Sequence, residues 1–260
     1  MAINTYPSVP LLQKDLIDDG AGYYPNKIAF DVEGECDTVN NTRVDVTNIG
    51  AAGAGAPYVF PPAGGIQMSV ISTSANDAAA GSGVQQVEMH YLDSTGASQV
   101  ETITMNGTTP VNSVATNVRF IQFIHTIRNG SFGANAAGTI TAYKVATPAT
   151  VYNTILAGEN ISLSSHRMVP LGKTFYMNSV AASATSNKPV SVRLTATCDD
   201  DGVLTQGIFL FNELFELQDS SLSIHIPTPR KFPALTIIKG KAISTTAGGS
   251  VEISYGGWIE

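Results

Sequence analysis

Apolar and polar residues alternate in short runs along most of this chain. The clearest run covers 84–93, where Val87, Met89 and Tyr91 alternate with Gln86, Glu88 and His90. That is the two-residue period of a strand with one face in a core and the other toward water. Ser94, Thr95 and Gly96 form a short turn, and 99–105 returns as the partner strand. Asn106 and Gly107 tolerate the positive φ of a tight turn, so the local chemistry predicts two consecutive hairpins. Runs at 66–73, 118–127 and 138–145 predict further strands, with Asn129 and Gly130 closing the middle one.

Before this stretch, 28–32 and 42–46 read as short strands, and 11–17 is the one place for a short helix. Pro7, Pro10, Gly20 and Pro25 punctuate the region, and the Gly/Ala tract from Ala51 to Pro57 reads as a loop. Thr147 and Pro148 mark a junction, because proline cannot donate to a strand ladder. Beyond it, 150–156, 160–163, 174–181, 189–197, 207–216, 221–227, 235–242 and 250–259 predict short strands cut by glycine and proline turns. No stretch of helical period competes. The expected fold is therefore all-β: two antiparallel β-sandwich or jelly-roll domains in tandem, 61–148 and 149–260, preceded by an extended N-terminal arm with short strands over 1–60.

Composition sharpens this picture. Charged residues make up only 13% of the 260 residues, about half the usual quarter, and Ser, Thr, Asn and Gly carry the polar balance. A thinly charged surface suits a subunit packed against neighbours. A net charge of -7 without any basic run excludes broad contact with nucleic acid. The first residues lack a secretory pattern and no apolar run reaches the length of a membrane span, so a soluble protein without a membrane partner is expected. Cys36 and Cys198 lie far apart with no Cys-x-x-Cys, and are expected to be reduced thiols.

Candidate chemistry is sparse. His90, His125, His166 and His225 fall on different predicted strands or loops, with no ligand spacing evident, and read as solvent-facing or core histidines. His225 occupies the polar face of an alternating strand. Asp199, Asp200, Asp201 and Gly202 could offer carboxylates to a hard cation, but the further oxygens of a calcium loop are absent and a hairpin turn accounts for them. Gly172, Lys173 and Thr174 lack the upstream glycine of a phosphate loop. Trp258 and the pair Tyr23 and Tyr24 are the aromatic candidates for a sugar platform, with core burial expected for Trp258. No catalytic residue, cofactor or metal ligand is assigned, and no enzymatic activity is expected.

Two stretches carry a resemblance. The first runs from Val87 to Ala97 and from Glu101 to Val111, continuing to Phe120 and 138–142; the second covers Val169 to Tyr176, Val192 to Leu194, Pro227 to Pro233, Val251 and Gly257 to Glu260. Together they resemble β-sandwich virion structural proteins of environmental and marine tailed bacteriophages. The resemblance implies a capsid decoration or cement protein, or else a neck, tail or fibre-base component, with a glycan-binding host-recognition module as a further alternative. It implies copies of the chain itself as partners, as a homotrimer, together with the major capsid protein or neck and tail proteins. It also implies a place in the virion after assembly in the host bacterial cytoplasm. It supplies no catalytic residues.

Overall fold

The strand with the clearest alternation becomes the centre of a three-stranded sheet: Val84, Val87, Met89 and Tyr91 turn into a core while Glu88 and His90 stay half-buried on the other face. The computed structural model describes residues 27–49, 55–56, 58–198, 208–245 and 248–260. Among them there are strands and no α-helix. They are β1 (Ile28–Cys36), β2 (Val44–Asp45), β3 (Met68–Ser72), β4 (Val84–Asp93), β5 (Ser98–Thr104), β6 (Val111–Asn112), β7 (Val118–Asn129) and β8 (Ile140–Lys144). Then follow β9 (Thr147–Ile155), β10 (Arg167–Met168), β11 (Phe175–Thr185), β12 (Val190–Cys198), β13 (Ile208–Leu217), β14 (Ser220–Phe232), β15 (Thr236–Ser244) and β16 (Ser250–Ile259).

The strands form four antiparallel sheets. Sheet I has the order β1-β16-β11-β14, and sheet II the order β10-β15-β12-β13 with β2 also on β15. Sheet III is β6-β3-β8-β9 and sheet IV is β5-β4-β7. The buried apolar side chains fall into three clusters. One draws on sheets I and II, among them Val32, Phe175, Leu194, Phe215, Phe232 and Ile253. A second draws on sheets III and IV, among them Met68, Val87, Met89, Ile121, Ile124 and Ile140. A third, of Tyr58, Leu92, Phe120, Met168 and Ile237, joins the two halves.

Several expectations change. The segment expected as an arm puts β1 in register along the whole of β16, from Ile28 opposite Ile259 to Cys36 opposite Val251. The half built on sheets I and II is thus assembled from both ends of the described chain, with sheets III and IV inserted between. The boundary expected near 148 falls inside β9, where Pro148 is tolerated because β9 is the edge strand of sheet III and needs no donor on its outer side. Pro227 and Pro229 likewise do not end β14, another edge strand: its pairing with β11 skips from Arg230 to His225, and both prolines sit in that gap. The turn at Gly96 (φ +88) joins β4 to β5 as expected. The turn at Gly107 (φ +59) does not make a second hairpin. There Gly107 donates to Asp77 O at 2.7 Å and accepts from Ser72 N at 3.0 Å, which directs the chain into sheet III, while β7 pairs with β4. The possible helix at 11–17, Tyr23, Tyr24 and the Asp199 to Gly202 turn lie outside the described residues.

Candidate functional site

The expected strand at 160–163 is instead a strap that touches both halves. Thr126 donates to Asn160 O at 2.8 Å and Ser162 to Ile124 O at 2.9 Å along the edge of β7. Ser165 donates to Val46 O at 3.1 Å, and its hydroxyl accepts from Gly240 N at 3.0 Å. Tyr255 reaches from β16 to donate its hydroxyl to Ser165 O at 2.8 Å. Ser162, Ser164, Ser165, His166 and Arg167 are all buried. So polar a segment can run through the interior because its groups meet partners there. Gly34 allows the approach on the β1 side, since a Cβ there would lie 2.3 Å from Ser165 N.

Gln122 fastens the joint. Its amide nitrogen donates to Met168 O at 2.6 Å and its amide oxygen accepts from Met168 N at 3.1 Å, so one side chain from β7 acts as a strand partner to β10. The Arg167 guanidinium donates to the carbonyls of Gln122, Ser164 and His166. Burial pulls its pKa down to about 10, a value at which it keeps its charge at neutral pH. Beside it, His166 stacks on Tyr58 with ring centres 4.4 Å apart, and its Nδ1 lies 3.0 Å from Ser164 Oγ. His166 Nε2 lies 3.5 Å from Asp45 Oδ2. Lys239 and Lys241 bring their ammonium groups to 3.9 and 3.8 Å from the same carboxylate, and Tyr58 N donates to it at 2.8 Å. Burial alone would raise Asp45, but His166, Lys239 and the Tyr58 N–H outweigh it and hold the carboxyl at about 2. Burial lowers His166, more than Asp45 raises it. The joint holds its charges fixed by close partners.

The outer face of sheet I is different. Its rows run Asp31, Gly256, Ser179, His225; then Glu33, Ser254, Ala181, Ser223; then Glu35, Glu252, Ser183, Ser221. Small side chains make this face flat, with carboxylates along the β1 side. Burial raises Asp31, and burial together with Asp37 and Glu252 raises Glu35. A shallow depression of about 450 Å³ spans Asp31, Glu33, Ser179, Ser223, Ser254 and Gly256. His225 is exposed here, as its place in the pattern predicts. Trp258 is only 7% exposed: Tyr176 stacks on it in parallel at 5.2 Å and the Lys27 ammonium sits 4.7 Å from its ring centre. Its ring is therefore already occupied by neighbours.

At the far side of this sheet, β13 and β14 are joined by a turn through Asp219 (φ +43), yet each forms the edge of a different sheet. Leu214 on β13 and Leu222 and Ile224 on β14 are 49%, 38% and 37% exposed. The register sets Leu214 opposite Arg193, on the face of sheet II away from the core, and sets Leu222 and Ile224 opposite Ala182 and Val180, on the core-facing side of β14, so each of these two edge strands carries exposed apolar side chains of its own.

A third feature was not legible from residue spacing. Glu88 and His90 share the outward face of β4, and the register of β7 sets His125 opposite Glu88 and Phe123 opposite His90. His90 Nε2 and His125 Nε2 lie 3.5 and 3.7 Å from Glu88 Oε2. Phe123 stacks on the His90 ring at 4.2 Å, and the Arg167 guanidinium lies over the Phe123 ring, 5.1 Å from its centre. Burial and the neighbouring His125 lower the pKa of His90, against the pull of Glu88. The histidines expected to be scattered are thus partly gathered, His90 and His125 having ring centres 5.1 Å apart. The signal available in sequence was the pair of period-two steps, Glu88 to His90 and Phe123 to His125, on two strands that proved adjacent. Cys36 and Cys198 are both in the thiol form, and Gly172 (φ +73) forms a turn.

No protein-family model matches the chain, and no curated protein matches it. Among solved structures, that of the Gx strain of infectious bursal disease virus aligns over 94% of this chain and 77% of its own, with 9% identity and a TM-score of 0.18. The VP2 subviral particle of infectious bursal disease virus aligns over 95% of this chain and 78% of its own, with 9% identity and a TM-score of 0.19. These are proteins of viral particles, and TM-scores this low do not establish a shared fold.

Proposed function

We propose that the chain is a non-enzymatic structural protein of a tailed bacteriophage particle, a capsid decoration subunit that works as a homotrimer. In this reading the paired sheets pack as two β-sandwiches, one interrupted by the other, and dock against copies of the chain and the major capsid protein. The observation that carries it is the pair of edge strands β13 and β14. Two neighbouring edge strands that have no further strand partner among the described residues, with Leu214 exposed on one and Leu222 and Ile224 on the other, are a liability in a lone protein and an asset in an assembly that covers them. Closed symmetry covers such an edge on every copy at once. The low charge of the sequence and its resemblance to phage virion proteins support the same reading.

The test has two parts. Native mass measurement on the purified chain is expected to give a trimer, and Leu222→Lys with Ile224→Lys is expected to give monomers of unchanged secondary structure. Mixed with undecorated heads, the wild-type chain is expected to bind saturably, at a copy number in proportion to the major capsid protein. A handful of copies per particle would instead favour a neck, tail or fibre-base position, and absence of binding to any particle component would overturn the reading.

A further inference from the structure

We propose that Glu88, His90 and His125 form a binding site for a single late first-row divalent metal ion of the zinc class. Two imidazoles and one carboxylate are the donor set of a three-ligand zinc site with an open fourth position. Imidazole nitrogen favours zinc, nickel and copper ions over calcium and magnesium, which take oxygen cages.

The geometry is close to what the ion needs. Bonds of about 2.0–2.1 Å in a tetrahedron set neighbouring donor atoms roughly 3.3–3.4 Å apart. The two Nε2 to Oε2 separations are 3.5 and 3.7 Å, and the three donors all lie within 4.8 Å of one another. Side-chain rotation at the three residues is what remains to bring the donors to bonding distance. The backbone supplies the placement: Glu88 and His90 are two residues apart on one face of β4, and His125 is the direct cross-strand neighbour of Glu88. Phe123, stacked on His90, limits the swing of that ring.

The nitrogens also have capacity to spare. His90 Nε2 and His125 Nδ1 are buried atoms without a hydrogen-bond partner, an unusual state for polar groups shielded from water. A metal at His90 Nε2 uses one of these lone pairs. The three side chains remain a little under a third exposed, which leaves the fourth position open to water or to a donor from another molecule. This site is independent of the assembly reading above and stands or falls without it.

The experiment uses the untagged full chain, stripped with a chelator and titrated calorimetrically with zinc chloride, then with magnesium and calcium chloride. The expected result is one saturable zinc equivalent per chain, with no heat from the other two ions at the same concentrations. His90→Ala and His125→Ala are each expected to weaken zinc binding by at least about 100-fold, more than the loss typical of a supporting outer-sphere residue. Glu88→Gln, which keeps the shape of the side chain, should weaken it too. Circular dichroism identical to wild type shows that the variants still fold. Cobalt in place of zinc should give the visible absorption of a four-coordinate ion. Absence of saturable zinc binding, or zinc binding undiminished in the His90→Ala/His125→Ala double variant, would overturn the proposal.

Discussion

At the scale of single residues, two buried carboxylates fix parts of the fold. Asp77 is fully buried and accepts four hydrogen bonds: from Ser72 Oγ at 2.6 Å, Val84 N at 2.8 Å, and Ala137 N and Gly138 N at 2.9 Å each. It ties the β3–β4 loop, at the end of β3 and the start of β4, to the loop between β7 and β8. Asp77→Ala removes the acceptor and strands several donors, so a loss of about 3 kcal/mol is expected in urea unfolding; a loss below about 0.5 kcal/mol would contradict this role. Asp45 and His166 make stability depend on pH. Burial keeps the folded His166 below its ordinary value, so below about pH 6.5 the unfolded chain binds more protons than the folded one and stability falls as acid is added. Asp45, held at about 2 against an ordinary 3.8, adds a second contribution, present above about pH 4 and lost as pH falls toward 2. Urea midpoints between pH 7.5 and 5 should fall in the wild type and fall less in His166→Gln. Equal slopes in the two proteins would remove His166 from the account.

At the scale of elements, the Gln122 side chain pairs β7 with the backbone of β10. Gln122→Ala is expected to cost about 2 kcal/mol, since it leaves Met168 N and O without their partner in a buried place. Calorimetry should then show the two halves melting as separate transitions, where the wild type melts as one; a single unaltered transition would show that the third apolar cluster suffices. Much at this scale was readable in advance. The β4–β5 hairpin follows from alternation and a glycine turn, because both are local. The strap at 160–168 was not readable as such. Its Ile161, Ser162, Leu163 and Ser164 alternate like a strand, and nothing in that spacing says that the polar residues would be the buried ones. Proline gave false boundaries at Pro148 and Pro227 for a related reason: whether a strand tolerates it depends on which edge is free, which is a property of the sheet. The Glu88, His90 and His125 cluster needed the β4–β7 register, which only the folded chain supplies.

At the scale of the whole molecule, the pairing of β1 with β16 is the decisive long-range contact, and no local pattern announces it. It completes sheet I and covers the edge of β16, whose Val251, Ile253 and Tyr255 belong to the core. Removing residues 1–36 would bare that edge and take Val32 and Cys36 out of the core cluster. The expected outcome is aggregation of the shortened chain at concentrations where the full chain stays dispersed, read by light scattering. A dispersed, folded product would show that β1 is dispensable.

The same pairing sets how the molecule responds to force. Ile28 and Ile259 are partners at one end of an antiparallel ladder, so a pull on the two tails separates that ladder one rung after another, like a zipper opened from its slider. A pull spread across the sheet faces meets all the rungs together. A fold closed this way gives way more readily when it is tugged by its two chain ends than when its strands are sheared along their length.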